Sequence, residues 1–67
     1  MDISISTEYI KLDQLLKFCG VVGNGSDAKF MIQDGEVFLN GAVEYQRGKK
    51  IKKGDIVTIG DLIINVC

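Results

Sequence analysis

Residues 11–35, KLDQLLKFCGVVGNGSDAKFMIQDG, decide the fold. Leu12, Leu15, Leu16 and Cys19 stand at i, i+3, i+4 and i+7, the stripe that one face of an α-helix presents to a core. Asp13, Gln14 and Lys17 then face outward. Gly20 is a natural stop, because a left-handed backbone costs glycine little, and Gly23-Asn24-Gly25 extends the break into a tight loop. Ser26 is read as the N-cap of a second short helix, with Asp27 at its positive end. Ala28, Met31, Ile32 and Gly35 return at helical spacing, leaving Lys29 and Gln33 on the exposed side.

Beyond Gly35 the period falls from 3.6 to two. Val37 and Leu39 alternate with Glu36, Phe38 and Asn40, and Asn40-Gly41 signals a tight hairpin leading into Ala42, Val43 and Glu44. Ile56 to Ile59 and Leu62 to Val66 read as two further strands, after a Gly54-Asp55 turn and around Gly60-Asp61. Upstream, Asp2 to Ser6 alternates like a short edge strand. The expected class is α+β, a two-helix hairpin packed on a small, mainly antiparallel β-sheet. With 67 residues the chain has room for one hydrophobic core, so a single domain spanning 1–67 is expected.

Composition narrows the function classes. The apolar share of 46% and charged share of 25% belong to ordinary globular domains. No apolar run approaches the roughly 20 residues that cross a bilayer, and the start lacks a signal-peptide pattern, so a cytoplasmic monomer without membrane contact is expected. Cys19 and Cys67 lack metal-ligand spacing, and no cofactor is expected. With no histidine and no base placed to activate a serine or cysteine, no catalytic residue is assigned.

Net charge is only −1, but it is segregated. Residues 1–46 carry −4, residues 47–53 carry +5 from Arg47, Lys49, Lys50, Lys52 and Lys53, and residues 54–67 carry −2. Screening limits each charge to about 10 Å at 0.1 M salt, so the middle block is locally positive whatever the total. It reads as a charged connection between the hairpin and the Gly54-Asp55 turn, suited to an anion or, more blandly, to solubility.

The order and spacing of Leu12 to Lys17, Ser26 to Lys29, Gly35 to Gly41 and Gly54 to Val57 resemble the S4 RNA-binding domain, over about Lys11 to Ile59. The likeness is closest to the stand-alone bacterial subgroup of the YbcJ and YaaA type, whose members carry this domain alone. The resemblance implies a non-catalytic module whose partner is structured RNA, with ribosomal RNA or the ribosome among the candidates. It places the contact surface on the helical hairpin and its neighbouring loop: Lys11, Asp13 and Lys17 on and before the first helix, Asn24, Gly25 and Ser26 in the loop, and Lys29 and Gln33 on the second helix. Arg47, Lys49 and Lys50 flank them.

Many S4 domains carry an arginine between the helices, where this chain has Gly23-Asn24-Gly25; the stand-alone subgroup also favours small residues there. The loop can then offer only backbone N–H groups, the Asn24 amide and the Ser26 hydroxyl, weaker phosphate partners than a guanidinium. The start of the second helix adds N–H groups at Ser26 and Asp27. Phe18, Phe30 and Phe38 fall within apolar patterns, which leaves Tyr9 and Tyr45 as stacking platforms and points to recognition by shape and backbone.

Other readings fare less well. Gly23 to Ala28 matches G-x-G-x-x-A, but a helix precedes it where a dinucleotide fold needs a strand. Asn24-Gly25-Ser26 is a glycosylation sequon without a secretory context. A β-grasp sulfur carrier has a comparable Val-x-Leu-Asn-Gly hairpin, yet acts through a terminal Gly-Gly, and here residues 65–67 are Asn-Val-Cys. A protein-docking module, its basic loop meeting an acidic partner, is the remaining alternative.

Overall fold

Helix α1, Leu12–Phe18, buries Leu12, Leu15 and Leu16 completely, as the stripe requires. Its end is a Schellman turn: the Gly20 N–H donates to the Lys17 carbonyl and the Val21 N–H to the Leu16 carbonyl, with Gly20 at φ 76°. Helix α2, Gly25–Gln33, ends the same way, through Gly35 at φ 79° and bonds to the Ile32 and Met31 carbonyls. Here the glycine has a second function. A Cβ on Gly35 would lie 3.5 Å from the Tyr45 ring, which packs across it.

The second helix starts earlier than its sequence signal. Asn24 is the N-cap, its side-chain oxygen accepting from the Asp27 N–H at 2.9 Å, and Ser26 lies inside the first turn. Asparagine and serine are comparable caps, so local chemistry did not separate them. One consequence is that the Asp27 N–H is already satisfied.

Seven short strands complete the chain: β1 (Asp2–Ile3), β2 (Tyr9–Lys11), β3 (Val37–Leu39), β4 (Ala42–Val43), β5 (Lys50–Lys52), β6 (Ile56–Ile59) and β7 (Leu62–Val66). This computed structural model describes all 67 residues. A five-stranded sheet runs β1-β7-β6-β3-β4, and β2 pairs with β5 in a separate two-stranded ribbon. All pairings are antiparallel except β1 with β7, where the two ends of the chain lie side by side with Asp2 opposite Asn65. The expected first strand therefore holds only over Asp2–Ile3, although Ile5 further on still reaches the core and donates its N–H to the Cys67 carbonyl at 3.0 Å. The β3–β4 turn has Asn40 at φ 51° and Gly41 at φ 88°, the pair of left-handed residues that Asn-Gly supplies to a two-residue hairpin.

The core joins the inner faces of both layers: Leu12, Leu15, Leu16, Ala28 and Ile32 from the helices, Ile5 from the N-terminal segment, and Val37, Ile51, Val57, Ile64 and Val66 from the strands. Each fully buried aliphatic side chain contributes about 1.5–3 kcal/mol relative to exposure. No helix is long and apolar enough to cross a membrane.

Cys19 sits half-buried against this core, and burial pushes its thiol above the ordinary cysteine value, against the opposing pull of the positive amino terminus. Cys67 is exposed. Because the thiolate is the nucleophile, iodoacetamide at pH 8 is expected to label Cys67 before Cys19, as peptide mass mapping over time would show. Equal rates would contradict the burial of Cys19.

Candidate nucleic-acid interface

Lys11 precedes α1 as its N-cap but makes no side-chain capping bond, so the first amides of the helix need other partners. The basic segment provides them. The Leu12 N–H donates to the Lys49 carbonyl at 2.9 Å and the Asp13 N–H to the Arg47 carbonyl at 3.0 Å. The Asp13 carboxylate, half-buried, accepts from the Gln14 N–H at 2.8 Å. These bonds tie Arg47 and Lys49 to the start of α1 through their backbones, leaving their side chains exposed.

The segment then becomes a strand, which corrects its reading as an open connection. β5 pairs with β2 so that Tyr9 faces Lys52, Ile10 faces Ile51 and Lys11 faces Lys50. Side chains alternate along a strand, so Ile10 and Ile51 share one face and Tyr9, Lys11, Lys50 and Lys52 the other. Ile51 is fully buried and the lysines are exposed. Lys50 Nζ lies 4.9 Å from the centre of the Tyr9 ring, a cation–π contact. Lys11 is thus brought beside Lys49 and Lys50, nearly forty residues away in sequence.

A cleft of about 520 Å³ adjoins the ribbon, lined by Asn40, Gln46, Lys49, Lys50, Lys52 and Asp55 among others. Its wall is held by residues the sequence reading assigned to turns. The Asn40 side chain accepts from the Ile56 N–H at 2.8 Å and donates to Asp55 at 3.1 Å, while Asp55 accepts from the Lys52 N–H at 2.8 Å. The hairpin tip is thereby fastened to the end of β5. Asn40→Ala is expected to cost about 2 kcal/mol in urea unfolding, from two lost bonds and a left-handed alanine. Asn40→Gly keeps the turn and should lose about half as much. Equal losses for both would remove the backbone part of this account.

The other sequence candidates form a second group. Lys17 is exposed on α1, and Ser26, Lys29 and Gln33 lie along the exposed side of α2, with Asn24 and Gly25 at its start. The helices pack on one another, but no hydrogen bond joins α2 to the basic segment. The Asn24 amide oxygen is occupied by its cap, which leaves the amide NH₂ to an incoming group.

The phenylalanines depart from expectation. Phe18 is 62% exposed, Phe30 63% and Phe38 40%, beside Tyr9 at 38% and Tyr45 at 59%. Phe30 is two residues from both Ala28 and Ile32, the buried positions of α2, and therefore on the opposite side of a 3.6-residue turn. Phe38 points away from the face that Val37 buries. Spacing relative to the buried positions carried this signal; apolar character alone concealed it.

Comparison with known proteins agrees with this architecture. A Bacillus subtilis (strain 168) protein named "Probable ribosome maturation protein RlbA" is 42% identical over 57 residues, covering 85% of this chain and 80% of the relative. The solution structure of YbcJ from E. coli, described as revealing an αL motif involved in RNA-binding, superposes with a TM-score of 0.74 at 32% identity, covering 97% of this chain and 84% of YbcJ. Neither is described as a sulfur carrier, and that alternative is not favoured. The model of the S4 domain matches residues 3–67, and with the two-helix hairpin, the mainly antiparallel sheet and these relatives it shows that the chain belongs to the S4 domain family.

Proposed function

We propose that this chain is a non-catalytic RNA-binding module, acting as one domain and as a monomer in the cytoplasm, which takes structured RNA on the basic ribbon and the adjoining helical hairpin. The observation that carries the reading is the gathering of Lys11, Arg47, Lys49, Lys50 and Lys52 at the start of α1 by the pairing of β2 with β5. YbcJ is described as carrying a motif involved in RNA-binding, and the name of RlbA refers to ribosome maturation, which favours ribosomal RNA as the target.

In this reading Arg47 grips a phosphate through its planar fork, while Lys11, Lys49 and Lys50 act as point charges on neighbouring phosphates. Lys17, Lys29, Gln33, Ser26, Gly25 and Asn24 extend the contact over the hairpin. Asp13 acts by holding the first turn of α1 in place, since a carboxylate repels phosphate. Phosphate contacts set affinity and register and carry little base information.

The test is fluorescence anisotropy with a structured ribosomal RNA fragment, a single strand and a duplex of equal charge, from about 0.05 to 0.2 M salt. Preferred binding of the structured fragment, weakening steeply with salt, is the expected result. Absence of binding to any of the three at the lowest salt would overturn the RNA reading and favour an acidic protein partner.

A further inference from the structure

The outward face of the β2–β5 ribbon holds an arrangement that phosphate binding in general does not require. Lys11 and Lys50 are direct cross-strand partners, and like charges in that position destabilise a strand pair. Tyr9 stands on the same face, diagonal to Lys50 and opposite Lys52, with 38% of its surface exposed. An anion between the two lysines would relieve their repulsion, and a planar aromatic group against Tyr9 would cover its ring. Those two demands, a phosphate and a flat ring a few ångströms apart, describe one nucleotide whose base is not paired within a helix.

Resting on the RNA reading above, we propose that this face is a single-nucleotide subsite: the phosphate lies between Lys11 and Lys50, and an unpaired base stacks on Tyr9. Lysine is a flexible point charge, so a phosphate draws the Lys50 ammonium from the Tyr9 ring and leaves the π-face to the base. Lys52, across from Tyr9, meets the next phosphate along the strand. Stacking on an aromatic tolerates any base, so the subsite selects a bulged or looped-out nucleotide by its being unpaired and not by its identity. Recognition then goes beyond shape and backbone. Phe30 is the more exposed ring, but Asp27 and Asp34 stand one turn to either side of it, which disfavours an RNA strand there.

The probe is a pair of RNA hairpins, one fully paired and one carrying a single bulged 2-aminopurine, at equal total charge. Wild-type protein is expected to bind the bulged hairpin at least fivefold more tightly and to quench the 2-aminopurine fluorescence. Tyr9→Leu should abolish both the preference and the quenching while leaving affinity for the paired hairpin within about twofold, and Tyr9→Phe should keep both, because the π-face is retained. Circular dichroism checks that each variant is folded, and the wild-type quenching stands independently of any variant. Equal binding of the two hairpins without quenching overturns the Tyr9 subsite and leaves the RNA reading intact. Failure to bind either hairpin overturns the RNA reading and the subsite with it.

Discussion

Replacing Arg47, Lys49 and Lys50 together with alanine is expected to lower affinity for structured RNA on the order of 100-fold at 0.1 M salt. The magnitude comes from counterion release. Each phosphate neutralised adds about 0.7–0.9 to the slope of log K against log salt, so three lost contacts remove about 2–3 from the slope and a comparable number of decades of affinity at 0.1 M. The fold should survive, because Arg47 and Lys49 hold α1 through backbone carbonyls that alanine keeps. Stability should change little, because the lost cation–π contact of Lys50 with Tyr9, about 0.5–1 kcal/mol, is offset by relief of the Lys11–Lys50 repulsion across the strand pair. Anisotropy titrations at several salt concentrations measure both affinity and slope. An unchanged slope would mean that these side chains do not meet phosphate, and the interface would have to be sought on the α1–α2 face around Lys17 and Lys29.

Leu16→Ala should cost about 2–5 kcal/mol of folding stability, measured by urea unfolding. The side chain is fully buried among both helices and the sheet. Native domains have only about 0.05–0.15 kcal/mol per residue in hand, so a chain of this length loses a large share of its stability in one step. Alanine is the better helix former, so the loss is of packing and not of helix propensity. Phe18→Ala, two residues along the same helix, removes a larger side chain that is mostly exposed and should change stability by no more than about 0.5 kcal/mol. Similar losses for the two would place Phe18 in the core, contrary to the structure.

This contrast bears on how far the chain could be read in advance. Both helices, their glycine stops and the Asn40-Gly41 hairpin were legible because each is specified within a few residues, by a periodicity and a terminal signal that agree. Where two local signals were equivalent, as with Asn24 and Ser26 at the start of α2, the cap fell on the other one. The phenylalanines misled because being apolar is a weaker indication of burial than position relative to the buried stripe.

What the sequence by itself determined is the class of the fold, the order of its main elements, the family resemblance and the density of positive charge between Arg47 and Lys53. Only the tertiary structure decided where that charge lies. Tyr9-Ile10-Lys11 and Lys50-Ile51-Lys52 are each too short to announce a strand, and they become one only by pairing with each other across nearly forty residues. Pairing between distant segments is set by which arrangement buries Ile51 and satisfies the free amides of α1, a property of the whole packed chain that no local window contains.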